Sequence, residues 1–147
     1  MLVQDVMTRY PACIHLGTDI RRAAELVSVS QISELMVLDH DDDFVGALSE
    51  GDLIRAVLPT YDEALRAGGS LNDAFGELSR KARDLADRPI DPLVVRNAIT
   101  LRPTDDVARA AVVMTERQIR RLPVVDGRTL EGTVARSDIC RAVIYHA

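Results

Sequence analysis

The sequence has no tryptophan, and its aromatic residues are three tyrosines and two phenylalanines among 147 positions. So few rings offer no platform for stacking successive bases, which argues against single-stranded nucleic-acid recognition. A basic block is also missing: 23 acidic against 18 basic residues give a formal charge of −5. That balance leaves no electrostatic footprint for a phosphate backbone or an anionic bilayer. No apolar run approaches the roughly 20 residues of a bilayer span, and "MLVQDVMTRYPAC" carries Asp5 where a signal peptide would be apolar. The expectation is a cytoplasmic protein without membrane contact. Cys13 and Cys140 stand alone, without metal-ligand spacing, and read as buried reduced thiols, with a disulfide left open. The histidines His15, His40 and His146 have no partners at metal or triad spacing, and "HDDD" from His40 reads as an acidic turn because its spacing is not that of an EF-hand. Gly68-Gly69-Ser70 lacks the lysine and spacing of a phosphate loop. No enzyme constellation emerges, and no cofactor is required.

What the chain does have is 47% hydrophobic content, enough to bury a core, and an internal repeat. "IRRAAELV" (Ile20 to Val27) and "VARAAVVM" (Val107 to Met114) place apolar residues at the same helical offsets, 87 positions apart. The same shift lays "QISELMVLD" on "QIRRLPVVD". A shift of 86 then lays "GALSEGDLIRAV" on "GTVARSDICRAV". Each copy predicts a short strand, an amphipathic helix, two strands joined by a polar turn, and a second helix. The second helices carry paired apolar positions, Leu53, Ile54, Val57 and Leu58 in one and Ile139, Cys140, Val143 and Ile144 in the other, and those faces need a partner. A copy of about 55 residues is marginal alone, so the two are expected to pack sheet to sheet as a pseudo-symmetric α/β (α+β) unit. Residues 1–58 form the first copy, 59–92 a linker and 93–147 the second. Pro59, Gly68-Gly69, Pro89 and Pro92 punctuate the linker. Its apolar stripe, Leu71, Ala74, Phe75, Leu78, Ala82 and Leu85, has the helical period and predicts an ordered helix packed on the module, with Ser70 as its cap.

Ser49 and Asp52 close the first copy in the pattern Gly-x-x-Ser-x-x-Asp. The spacing is that of a capping box, in which each side chain accepts the other residue's backbone N–H. The same geometry suits a ligand: a helix N-terminus favours phosphate, a carboxylate accepts ribose hydroxyls, and a nearby hydroxyl bonds either. Spacing alone leaves both readings open. In the second copy Ala135 cannot cap while Asp138 is retained, with Ser137 as an alternative cap. An acid kept without its reciprocal serine is less well explained by a capping box.

A β-α-β-β-α unit present twice, with "DVMTR" leading in, "RRLPVVD" inside the second copy and Gly-x-x-Ser-x-x-Asp closing the first, resembles a tandem pair of cystathionine β-synthase type (CBS) domains, a Bateman module. The resemblance covers nearly the whole chain outside the linker. It implies two related clefts between the copies that bind AMP, ADP, ATP or an S-adenosyl compound, a disc-like homodimer, and a regulator that signals occupancy to an effector protein. The alternative is a dimeric scaffold with empty clefts. By the resemblance, one site would combine Asp138 and Ser137 with Thr8, Cys13, Ile32 and Ser33. The other would combine Asp52 and Ser49 with Val95, Thr100, Ile119 and Arg120. Ile32 and Ile119 would sandwich an adenine, and Arg120 and Arg121 fall where the family often places phosphate contacts, a role suited to the planar guanidinium fork. The chain departs from the pattern at several places. Ser33 and Glu34 stand where the second copy has the two arginines, Val94-Val95 replace Met7-Thr8, and Ala135 removes a hydroxyl. A single occupied site, or a ligand with little phosphate, stays open.

Overall fold

Polar side chains cap four of the described helices, at Asp19, Ser49, Ser70 and Asp106. The computed structural model describes residues 1–58, 60–66 and 68–146, so Pro59, read above as punctuating the linker, lies outside them. In chain order the elements are α1 (Val3–Val6), β1 (Cys13–His15), α2 (Ile20–Ser30), β2 (Glu34–Leu38), β3 (Phe44–Ser49), α3 (Glu50–Val57), α4 (Tyr61–Arg66), α5 (Leu71–Leu85), a 3-10 turn (Asp91–Leu93), α6 (Val107–Glu116), β4 (Arg121–Asp126), β5 (Thr129–Ala135) and α7 (Arg136–His146). Asp19 and Asp106, 87 residues apart, cap α2 and α6 by accepting the N–H groups of Arg22 and Ala108. Gln31 and Gln118, equally spaced, take left-handed conformations as those helices end.

The first sheet runs β1-β2-β3, with β1 parallel and β3 antiparallel to the central β2. The second holds only β4 and β5; the third strand expected from the repeat is reduced to a parallel bridge between Leu101 and Val124. The cause is Pro103. In the first repeat Leu16 donates its N–H to the Leu38 carbonyl, and its counterpart 87 residues on is a proline with no N–H to give.

The two cores exchange their lead-in segments. Val3 and Val6 of α1 pack with Leu101, Met114, Leu122 and Val134 of the second repeat. Ile90, Leu93 and Val94 pack instead with Ile14, Leu35, Val37 and Leu48 of the first. Neither core is therefore contiguous in sequence, although the repeats follow one another along the chain. Backbone pairing fastens each exchange: Thr8 bridges Thr133, and Val95 bridges Ala47. Glycine makes both approaches possible. A Cβ at Gly46 would sit 2.3 Å from the Val95 carbonyl oxygen, and one at Gly132 would sit 2.6 Å from that of Thr8. A third link joins the sheets where the Phe44 N–H donates to the Arg128 carbonyl at 2.8 Å.

The linker is helical and packs on the first repeat. Ser70 caps α5 by accepting the Asp73 N–H. Lys81 then fastens α5 back to the chain by donating to the Leu58 carbonyl at 3.1 Å and pairing with Glu63 at 2.9 Å. The expected stripe is covered only in part. Leu78, Ala82 and Leu85 are half-buried, whereas Leu71 is 92% and Phe75 67% exposed.

Candidate ligand-binding site

The capping box is formed. The Asp52 N–H donates to Ser49 Oγ at 3.1 Å, and the Ser49 N–H donates back to Asp52 Oδ2 at 2.8 Å. Ser49 Oγ also donates to Oδ2 at 2.9 Å, and Arg55 reaches Oδ1. Asp138 forms half of the same device: its Oδ2 accepts the Ala135 N–H at 2.8 Å, and its Oδ1 accepts from Arg141 at 3.1 Å. A structural task thus accounts for the acid retained in the second repeat, where the missing serine had made a capping box the weaker explanation. Ser137 lies inside α7 and is exposed, so the helix begins before it.

Between the repeats lies a cavity of about 290 Å³. Ser49 and Asp52 line it from the first repeat; Val95, Ile119 and Arg121 line it from the second. Four residues that the resemblance placed together, Ser49, Asp52, Val95 and Ile119, therefore meet in space, with Arg121 beside them in place of Arg120. Thr100 does not join them. It stays exposed while Asn97, Ala98 and Ile99 form that stretch of wall, because the chain then turns Leu101 into the core. A neighbouring recess of about 460 Å³ shares Glu34, Ser49 and Ile119 with the cavity and adds Arg120, Ser33, Glu50 at the start of α3 and Arg55 in its last turn. Arg120 thus stands in the recess and Arg121 in the inner cavity, as alternation along an extended chain requires.

Of the other proposed set, Ser33 alone lines either of these two cavities. Ser33 belongs to the recess beside Arg120, since its carbonyl accepts the Glu50 N–H and ties it to α3. Thr8 is held by its backbone against Thr133, Ile32 is half-buried, and Cys13 donates its thiol to the Pro11 carbonyl at 3.2 Å. Burial, reinforced by Asp42, pushes the Cys13 thiol up and keeps it protonated. Asp138 itself is 5% exposed, with both carboxylate oxygens engaged.

Sequence reading missed Glu34 as a site residue. In the sheet it stands directly opposite Ser49, which puts it on the cavity wall. Its Oε2 is buried and receives no hydrogen bond from the described residues. Burial pushes the carboxyl above its ordinary value of 4.5, with Arg121 and Arg120 opposing the shift and Asp52 reinforcing it. A carboxyl raised in this way stabilises the fold below pH 4.5, and that contribution is lost as pH rises through the folded-state pKa. Glu34→Gln is accordingly expected to melt about 2–4 °C above the parent at neutral pH, from roughly 1 kcal/mol of relieved desolvation, the low end for a half-buried group. Below pH 4.5 the two curves should converge. A parent equal to or more stable than the variant at pH 7 would contradict the assignment.

The exchanged lead-ins, the duplicated β-α-β-β-α unit and the cavity between the copies define a paired-repeat module. A family model for the CBS domain matches residues 3–59 and 83–145, and the chain belongs to that family as a tandem pair. It is similar to the uncharacterized protein MJ1426 of Methanocaldococcus jannaschii, at 28% identity over 98% of this chain and 92% of that protein. Among solved structures it resembles CBSX2 of Arabidopsis thaliana (25% identity, TM-score 0.80, covering 99% of this chain and 95% of that one), a protein also solved with AMP. It resembles as well the CBS domain pair of MJ0100 in complex with 5′-methylthioadenosine and S-adenosyl-L-methionine (25% identity, TM-score 0.68, covering 97% of this chain and 99% of that one). Several longer relatives, homoserine O-acetyltransferases among them, match this chain over a quarter or less of their own length. No helix among the described residues is long and apolar enough to cross a membrane.

Proposed function

We propose that this CBS pair is a regulatory module that binds an adenosine-containing ligand in the cavity beside Asp52 and signals its occupancy to a partner protein, without catalysing a reaction. The observation that carries the reading is a cavity assembled from both repeats: Ser49 and Asp52 from one, Val95, Ile119 and Arg121 from the other. A site split between two bodies changes when they shift, and a ligand acts as a signal only through different affinities for two arrangements. Oδ2 of Asp52 is filled by Ser49 and Oδ1 takes one bond from Arg55, which leaves Oδ1 one lone-pair site for a ribose hydroxyl, and Val95, Ile99 and Ile119 supply apolar walls for a base. The adenosine ligands named for CBSX2 and MJ0100 support the choice of ligand class. The module also acts as a homodimer in this reading, because the outer helices leave large apolar side chains exposed, Ile54 on α3, Leu58 just after it, and Val143, Ile144 and Tyr145 on α7.

A thermal-shift panel with AMP, ADP, ATP, 5′-methylthioadenosine and S-adenosylmethionine tests the ligand. At 100 times its dissociation constant a ligand adds about 2.7 kcal/mol, which for this length raises the midpoint by roughly 5–10 °C. The shift is expected to vanish in Asp52→Ala and to persist in Asp138→Ala. A parent free of co-purified nucleotide that responds to none of the five would remove the sensing function and leave a scaffold. A shift lost only in Asp138→Ala would move the site to the other cleft.

A further inference from the structure

The second sheet buries a hydroxyl that the first sheet lacks. Thr133 is fully buried, whereas the matching place in the first repeat, 86 residues earlier, is filled by Ala47. Thr133 pairs with Pro123 in the sheet, so it lies diagonal to Arg121 on the same face. Its Oγ1 accepts from Arg121 Nη1 at 2.8 Å, and this is the one hydrogen bond of that guanidinium among the described residues. The corresponding pair in the first repeat, Glu34 and Ala47, has no such bond, and Glu34 Oε2 is left without a donor.

A hydroxyl does for Arg121 what a carboxylate could not. Arg55 and Arg141 are each held by an aspartate, which fixes the side chain but offsets its charge. Thr133 fixes the side chain and leaves the charge in place. Among the described residues no carboxylate pairs with Arg121, and Glu34 acts on it only through space. The remaining N–H donors of Arg121 are left to a ligand, on a guanidinium that stands in the wall of the Asp52 cavity. Of the two carboxylates on that wall, Asp52 is offset by Arg55, and burial pushes Glu34 toward its neutral form. Such a wall suits an anionic group, because bonds from the planar fork to an anion are charge-assisted and a side chain already immobilised loses less freedom when the ligand arrives. We propose that Thr133 is a positioning residue of the ligand site, holding Arg121 against the cavity in the orientation that receives an anionic substituent of the ligand. The proposal rests on the cavity being the ligand site, and it adds a residue that lies outside the cavity wall.

Titration calorimetry with AMP, and with adenosine, which lacks the anionic group, tests it on the parent, Thr133→Val, Thr133→Ser and Arg121→Gln. The parent is expected to bind AMP about tenfold more tightly than adenosine. Thr133→Val keeps the shape of the side chain without its oxygen; it should lose about tenfold for AMP, about 1.4 kcal/mol, and change adenosine by less than about twofold. Thr133→Ser restores the hydroxyl and should recover most of that loss. In the Arg121→Gln background, Thr133→Val should cost AMP nothing further, since the two residues act through one contact. Thermal melts confirm folding before titration, and Thr133→Ala, which matches Ala47 of the first repeat, replaces Thr133→Val if that variant unfolds. An equal loss for both ligands, no loss for AMP, or a parent that binds adenosine as tightly as AMP overturns the proposal while leaving the cavity as a ligand site. A parent that binds neither overturns the proposal and the reading of the cavity together.

Discussion

Gly46→Ala is expected to lower the thermal midpoint by about 6–12 °C, the equivalent of roughly 3 kcal/mol for a chain of this length. The added methyl would lie 2.3 Å from the Val95 carbonyl oxygen and 3.0 Å from the Val94 side chain. Backbone rather than a flexible side-chain end blocks it, so the lead-in segment must move outward. That movement strains the reciprocal hydrogen bonds between Ala47 and Val95, at 2.9 and 3.1 Å, and disturbs the packing of Val94 and Ile90 in the first core. Gly132→Ala should behave alike, with a methyl 2.6 Å from the Thr8 carbonyl oxygen. The two differ in their effect on the site. Val95 lines the cavity, so Gly46→Ala should also weaken ligand binding beyond what its loss of stability explains. Gly76→Ala is the control: its Cβ would meet nothing within 4 Å in the middle of α5, and alanine there should stabilise by about 0.5–1 kcal/mol. Urea and thermal unfolding of the three variants decide the matter. A Gly46→Ala protein within 1 kcal/mol of the parent would mean that the lead-in exchange is not tight.

The repeat made the element order legible, because helical offsets and turn residues recur at shifts of 87 and 86. The capping box was legible for the same kind of reason, since Ser-x-x-Asp is a local device whose partners lie within one turn. The exchange of lead-ins was not. Val3 and Val6 match Ile90 and Leu93 in size and polarity, so either core could accept either segment, and Gly46 and Gly132, which admit the close approach, occupy equivalent places in the two repeats and so carry no sign of the crossing. The reduced third strand of the second sheet was readable in principle from Pro103, which stands where Leu16 makes its ladder bond. Glu34 was visible as a departure from the arginine pair, but its role needs strand register, which places it opposite Ser49. Thr100 and Ser33 went astray for the same reason: each is next in sequence to a residue that lines the inner cavity, and a one-residue step changes the direction of a side chain.

Ile144→Glu in α7 and Ile54→Glu in α3 are each expected to turn a homodimer of twice 16.2 kDa into a monomer of 16.2 kDa. Ile144 is 73% and Ile54 54% exposed, so in the isolated chain a polar replacement should alter stability by less than about 0.5 kcal/mol. In a dimer closed over these faces, the same carboxylate would be buried without a partner, which costs several kcal/mol and at least a hundredfold in dissociation constant. The surface has the shape such an interface needs. A groove of about 920 Å³ runs between α2, α3 and α5, walled by Ile20, Ala24, Val29, Leu53, Ile54 and Val57. Light scattering across a concentration series, alongside melting curves, tests the expectation. A parent of 16.2 kDa at every concentration would remove the dimer, and a dimer indifferent to both substitutions would place its interface elsewhere. The same helix connects this surface to the cleft. Ile54 lines the groove and also the recess beside Ser49 and Arg120, and the Ser49–Asp52 box begins the helix that carries it. A ligand that tightens the start of α3 therefore alters the face offered to a second copy. By reciprocity, the dimer's dissociation constant should change with ligand by the same factor as the ligand's affinity changes on dimerisation.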